Sequence, residues 1–108
     1  VRSLFLIGFP TILISLAIPL ILGRVPPNGY YGFRTSKTLS SPAIWYLANR
    51  ASGWYLLCAG ILCLAANLAI AAFRPDWFAG QNISRVAFLF LFAVLCSLAA
   101  SFLYLRRL

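Results

Sequence analysis

WYLLCAGILCLAANLAIAAF, residues 54–73, is a run of 20 residues whose one strongly polar side chain is Asn67. At about 1.5 Å per residue, a helix of this length covers the roughly 30 Å of a bilayer's hydrocarbon. A second run of the same kind, residues 86–105, follows after a short connection that starts at Arg74 and Pro75. A third, residues 4–22, precedes both and is interrupted by Pro10 and Pro19. Each proline removes a backbone donor and bends the axis, and Pro19 is expected to mark the end of the regular helix.

The rest of the chain agrees with this reading. Of 108 residues, 63% are hydrophobic, against about 45–50% in an ordinary soluble domain. One small domain cannot bury that much apolar surface on itself, so lipid must cover the remainder. Nine basic residues stand against one acidic residue. Arg2, Arg24, Arg34, Lys37, Arg50, Arg74, Arg85, Arg106 and Arg107 lie outside the apolar runs or at their ends. That placement is one of membrane topology and headgroup contact, and it argues against direct nucleic-acid binding. The expected fold is all-α: one integral membrane domain over residues 1–108, with transmembrane helices at about 4–22, 54–73 and 85–105. A structured loop-and-helix cap occupies residues 24–53.

Arg2 is a thin charged region and Val25-Pro26-Pro27 a poor cleavage site, so the first run does not read as a cleavable signal peptide. Three spans put Arg2, Arg74, Arg85 and Asp76 on one side. The other side collects Arg24, Arg34, Lys37, Arg50, Arg106 and Arg107. The positive-inside rule then predicts a cytoplasmic cap and C-terminus and an external N-terminus. Cys58, Cys63 and Cys96 all fall in apolar runs and read as buried small hydrophobes. With no histidine there is no Cys/His metal spacing, and neither a metal nor a cofactor is expected. The same shortage of His, Asp and Glu leaves general acid–base catalysis without its usual groups, so the chain reads as no enzyme.

Pro26-Pro27, Asn28-Gly29 and Gly32 break every period between residues 23 and 41, which marks loop and turn. Ser41-Pro42 has the form of an N-cap followed by proline at the first helical position. On a helix starting there, Trp45, Asn49 and Gly53 share one face, which can meet the loop. Asn28 and Asn49 can serve backbone donors and acceptors at a turn, and Gly32 permits a bend that a side chain would block. Arg34 offers a planar fork of donors. On one reading Arg34, Asn49 and Trp45 only hold the cap together. On the other, Arg34, Lys37 and the amides of the helix start form an anion site at headgroup depth. Within the spans, a stripe of Ala59, Gly60, Cys63, Ala66 and Asn67 suits close helix packing. On the third span, Ala93, Ser97, Ala100, Ser101 and Tyr104 form a small side expected to face the second, leaving Phe88, Phe92 and Phe102 for lipid or a second subunit. Asn67, Ser97 and Ser101 could instead line a path between subunits of a homo-oligomer, which makes an oligomeric transporter of small solutes or lipids the alternative function.

The pattern P-N-x-x-Y-G-x-R-T-x-x-T-L from Pro27, followed by W-x-x-x-N-R-x-x-G from Trp45, resembles the signature of the SdpI family of bacterial membrane proteins. The resemblance runs from Pro27 to Gly53 and is to the C-terminal portion of longer members. It implies a multi-pass protein of the bacterial plasma membrane that confers immunity against a membrane-active toxin peptide. It also implies signalling, with a toxin peptide or a repressor protein as partner beside the membrane lipids. The matching positions are Asn28, Tyr31, Gly32, Arg34, Thr35, Thr38, Trp45, Asn49, Arg50 and Gly53; Lys37 lies among them. No chemical role comes with these positions.

Overall fold

The computed structural model describes residues 7–74, 76 and 83–108. Among these there are three α-helices, one 3₁₀ turn and no strand: α1 is Phe9–Ile21, α2 is Pro42–Phe73 and α3 is Ile83–Leu105, with the 3₁₀ turn at Thr38–Ser40. The start of the first apolar run and most of the connection between the second and third runs lie outside the described residues.

Pro10 falls in the first turn of α1, where a missing N–H costs nothing, because the first amides of a helix have no partner inside it. The helix continues two residues past Pro19, to Ile21, rather than stopping at the proline. What ends it is Gly23, at φ +68°. The Gly23 N–H donates to Leu20 O at 3.2 Å and the Arg24 N–H to Pro19 O at 3.1 Å, the paired bonds of a Schellman turn.

α2 starts where Ser41 and Pro42 direct it: the Ile44 N–H donates to Ser41 Oγ at 3.2 Å. It then runs unbroken for 32 residues, about 48 Å, the same as the longest dimension of the molecule, 48 Å. A bilayer's hydrocarbon takes up about 20 residues of such a helix, so about three turns of it extend beyond that thickness.

α2 is central, with α1 and α3 packed on it. Two close approaches set the position of α1. A Cβ on Gly53 would lie 2.8 Å from Ile21 Cγ1 and 3.0 Å from Ala17 O, and one on Gly60 would lie 2.8 Å from Ile14 Cγ1. α1 therefore lies against the glycine face of α2 at backbone contact, as small residues allow in lipid. Gly53, expected to face the loop with Trp45 and Asn49, faces α1 instead. On α3, Val86, Ser97, Ser101 and Leu105 recur at near-helical spacing and are buried. Phe88, Phe92 and Phe102 point outward and are each 45% exposed or more. Phe9 and Phe90 pack with ring centroids 5.0 Å apart and tie α1 to α3.

Two helices, Pro42–Phe73 and Ser84–Leu105, are long and apolar enough to cross a bilayer, whereas the described part of α1 is shorter. Their most apolar windows are only 22% and 17% buried inside the protein. A soluble core helix would hide most of that surface; here it faces outward, where only lipid removes it from water. Of the cysteines, Cys63 is buried, but Cys58 and Cys96 are exposed and line a groove between α2 and α3, against the expectation that all three are buried.

Candidate functional site: the polar cap

The loop from residue 24 to the 3₁₀ turn has no regular ladder to satisfy its backbone, and side chains do that work. Asn28 organises the first turn: its Oδ1 accepts from the Tyr30 and Tyr31 N–H groups at 2.8 and 2.7 Å. Its Nδ2 donates to Pro26 O at 2.8 Å and Tyr31 O at 3.0 Å. All the hydrogen-bonding capacity of one amide side chain is thus turned on the local chain, which is the behaviour that favours Asn in turns.

Trp45 and Asn49, one turn apart on α2, hold the loop from below. Trp45 is completely buried and its Nε1–H donates to Val25 O at 2.8 Å. Asn49 is 2% exposed and clamps Phe33 by both backbone groups. Its Oδ1 accepts from the Phe33 N–H at 2.6 Å, and its Nδ2 donates to Phe33 O at 3.3 Å and to Trp45 O at 2.9 Å. Gly32 makes this approach feasible. It has φ +117°, and a Cβ there would lie 2.8 Å from Asn49 Oδ1 and 3.2 Å from two carbons of the Trp45 ring. Phe33 then packs edge-to-face on Phe102 of α3, centroids 5.0 Å apart, so the clamp also seats α3.

Thr35 and Thr38 close the second half of the loop. Thr38, fully buried, accepts from the Thr35 N–H at 2.7 Å through Oγ1, and its own N–H donates to Thr35 Oγ1 at 3.1 Å. The Tyr31 hydroxyl donates to Leu16 O on α1. Partial burial pushes its pKa up from the ordinary tyrosine value, since the phenolate would lose hydration.

The cations divide into two kinds. Lys37 Nζ donates to Leu105 O at 2.9 Å and so holds the last turn of α3, where the helix dipole favours a positive charge. Arg50 stands beside the end of α1, with Nη2 at 3.4 Å from where a Gly23 Cβ would be. Arg34 is exposed and makes no hydrogen bond or ion pair among the described residues. The structure therefore does not assemble Arg34, Lys37 and the start of α2 into one anion site. Lys37 is turned to α3, and Ser41 already caps the helix start. Nor does Arg34 help to hold the loop, unlike Asn49 and Trp45.

Arg34 instead lines a groove of about 450 Å³. Its walls are Leu16 and Leu20 of α1, Ser52 and Leu56 of α2, Leu98 and Phe102 of α3, and the loop from Tyr31 to Thr35. Leu98 and Ser52 were not singled out by sequence reasoning; the walls of the groove come from four separate stretches with no shared period. A second groove, of about 390 Å³, runs between α2 and α3 within the apolar region and is lined by Asn67 and Ser97 among alanines, leucines and cysteines. Ser101 is not on it; its hydroxyl donates to Ser97 O at 2.9 Å along its own helix. Asn67 Nδ2 reaches Cys63 Sγ at 3.8 Å, one turn back.

Fold and cap together define a small helical membrane protein whose polar end is braced on its own backbone. The model of the SdpI/YfhL protein family matches residues 24–105, the cap and both long helices, and the chain belongs to that family. No curated protein and no solved structure gives a match.

Proposed function

We propose that this protein is a non-enzymatic immunity-type module of the bacterial plasma membrane, whose cap faces the cytoplasm and binds through Arg34. Family membership supports the immunity-type reading. The excess of basic residues on the cap side, six against three, supports the orientation. One observation carries the choice of residue. The polar side chains of Asn28, Thr35, Thr38, Trp45 and Asn49 are engaged inside the cap and Lys37 is engaged by α3, while Arg34 is exposed, makes no hydrogen bond or ion pair among the described residues and lines a groove. A charged fork of five donors held by a rigid loop is suited to a carboxylate or phosphate.

The test is survival. The chain is expressed in a bacterium sensitive to the secreted toxic peptide from which the family takes its immunity role, and the cells are challenged with that peptide. The expected result is protection by the wild type and loss of protection by Arg34→Ala at unchanged abundance in the membrane. Protection that persists in Arg34→Ala, or a wild type that never protects, refutes the reading.

A further inference from the structure

We infer that the groove beside Arg34 binds a single anionic glycerophospholipid, its phosphate on the Arg34 guanidinium and one acyl chain between α1 and α3. The inference rests on the reading of Arg34 as the outward-acting group of the cap, and it names the ligand class.

Three observations carry it. First, the groove joins two chemistries at one place: the loop Tyr31–Thr35 with the exposed Arg34 on one side, and Leu16, Leu20, Leu56, Leu98 and Phe102 on the other. Its volume, about 450 Å³, lies within the roughly 300–1,000 Å³ of small-molecule sites. Second, it opens sideways. Leu16, Leu98 and Phe102 are 41%, 45% and 45% exposed, and they belong to the apolar outer surface of the bundle. An acyl chain can enter from the bilayer without crossing water, whereas a soluble anion would leave the apolar part of the groove unfilled. Third, charge complementarity selects an anionic headgroup: residues 24–53 contain Arg24, Arg34, Lys37 and Arg50 and no Asp or Glu. Basic pockets between membrane helices favour acidic headgroups on these grounds, and Arg grips phosphate through two parallel hydrogen bonds.

The site does not need to form on binding. Gly32 and the Asn49 clamp fix the loop that carries Arg34, and the edge-to-face contact of Phe33 with Phe102 sets the spacing between loop and α3. Such preorganisation reduces the ordering cost of binding.

The full chain in detergent micelles is supplied with phosphatidylglycerol or with phosphatidylcholine of the same acyl chains, and retained lipid is counted by native mass spectrometry. The wild type is expected to retain one phosphatidylglycerol per chain, at least about tenfold more strongly than phosphatidylcholine: both carry a phosphate, but the choline ammonium cancels its charge and is repelled by a cap with cations and no acid. Arg34→Ala and Arg34→Gln remove that preference. Leu98→Trp, which fills the groove and leaves Arg34 in place, lowers retention of both lipids. Equal retention of the two lipids by the wild type, or undiminished retention of phosphatidylglycerol by both Arg34 variants, overturns the inference. So does displacement of the lipid by glycerol phosphate at equal concentration, since that removes the acyl chain from the recognition. An acidic amphipathic peptide that binds more tightly than the lipid, with the same dependence on Arg34 and Leu98, reassigns the groove to peptide and also overturns it. Toxin survival of the Arg34→Ala strain separates the two readings. Lipid lost with survival kept refutes Arg34 as the residue through which protection acts and leaves the lipid site, whereas lipid kept with survival lost does the reverse.

Discussion

Asn49→Leu exchanges one side chain of similar size for another and so opens little cavity, but it removes both bonds to Phe33 at once. The Phe33 N–H, now bonded at 2.6 Å, and the Phe33 carbonyl, at 3.3 Å, lose their partner in a buried position. Each buried group left unsatisfied costs about 1–3 kcal/mol, so the pair costs about 2–6 kcal/mol if the cap stays closed. The cap will not stay closed at the upper end of that range. Opening lets water reach both groups, so the penalty appears as a larger population of open loop. A shift of about 2–4 kcal/mol multiplies that population by roughly 30 to 1,000, since about 1.4 kcal/mol is a factor of ten. Arg34 and Lys37 supply trypsin sites on the loop itself. In detergent micelles the wild type is expected to resist cleavage at these sites, and Asn49→Leu to be cut faster by at least about thirtyfold, with the spans intact. The relation of rate to population holds where opening and closing outpace cleavage. Equal cleavage rates for variant and wild type would refute the clamp as the element that holds the loop.

Gly32→Ala places a Cβ 2.8 Å from Asn49 Oδ1 on a backbone at φ +117°. It is expected to cost about 1–3 kcal/mol and to accelerate the same cleavage, and a wild-type rate would contradict the close approach. Gly53→Leu forces a side chain against Ala17 O and Ile21 of α1, and is expected to lower the thermal midpoint in detergent by more than Ala51→Leu, one pair of positions away on a half-buried face. A raised Tyr31 pKa means that the folded cap holds the hydroxyl proton more firmly than the open loop does. The resulting stability is complete below the unfolded value of about 10 and is lost as pH rises through the higher folded value. Cleavage of the wild type should therefore rise above about pH 10 more steeply than that of Tyr31→Phe, and parallel pH profiles would count against the Tyr31–Leu16 contact.

What was legible from residues alone is what depends on near neighbours and on solvent. The apolar runs at 54–73 and 86–105 declare lipid as their surroundings because their length and hydropathy are properties of the chain itself. Ser41-Pro42 declares a helix start because cap and proline act within one turn, and Asn28 declares a turn because its amide serves the residues beside it. Pro19 shows the limit of local reading. A proline near the end of a helix removes one bond and no more, and the end was set by Gly23 four residues later.

The remainder needed the tertiary structure, because it joins residues far apart in sequence. Nothing in the sequence around Phe33 says that Asn49, sixteen positions later, holds its backbone, or that the ammonium of Lys37 reaches the carbonyl of Leu105 at the end of another helix. The signature positions look alike as letters, yet folding engages Asn28, Trp45, Asn49 and the two threonines inside the cap and leaves Arg34 outside, beside a groove assembled from three helices and a loop. Periodicity places a side chain on a face of its own helix; which neighbour that face meets is decided by packing. Gly53 was therefore readable as one residue of a face, and only the fold showed that the face there belongs to α1.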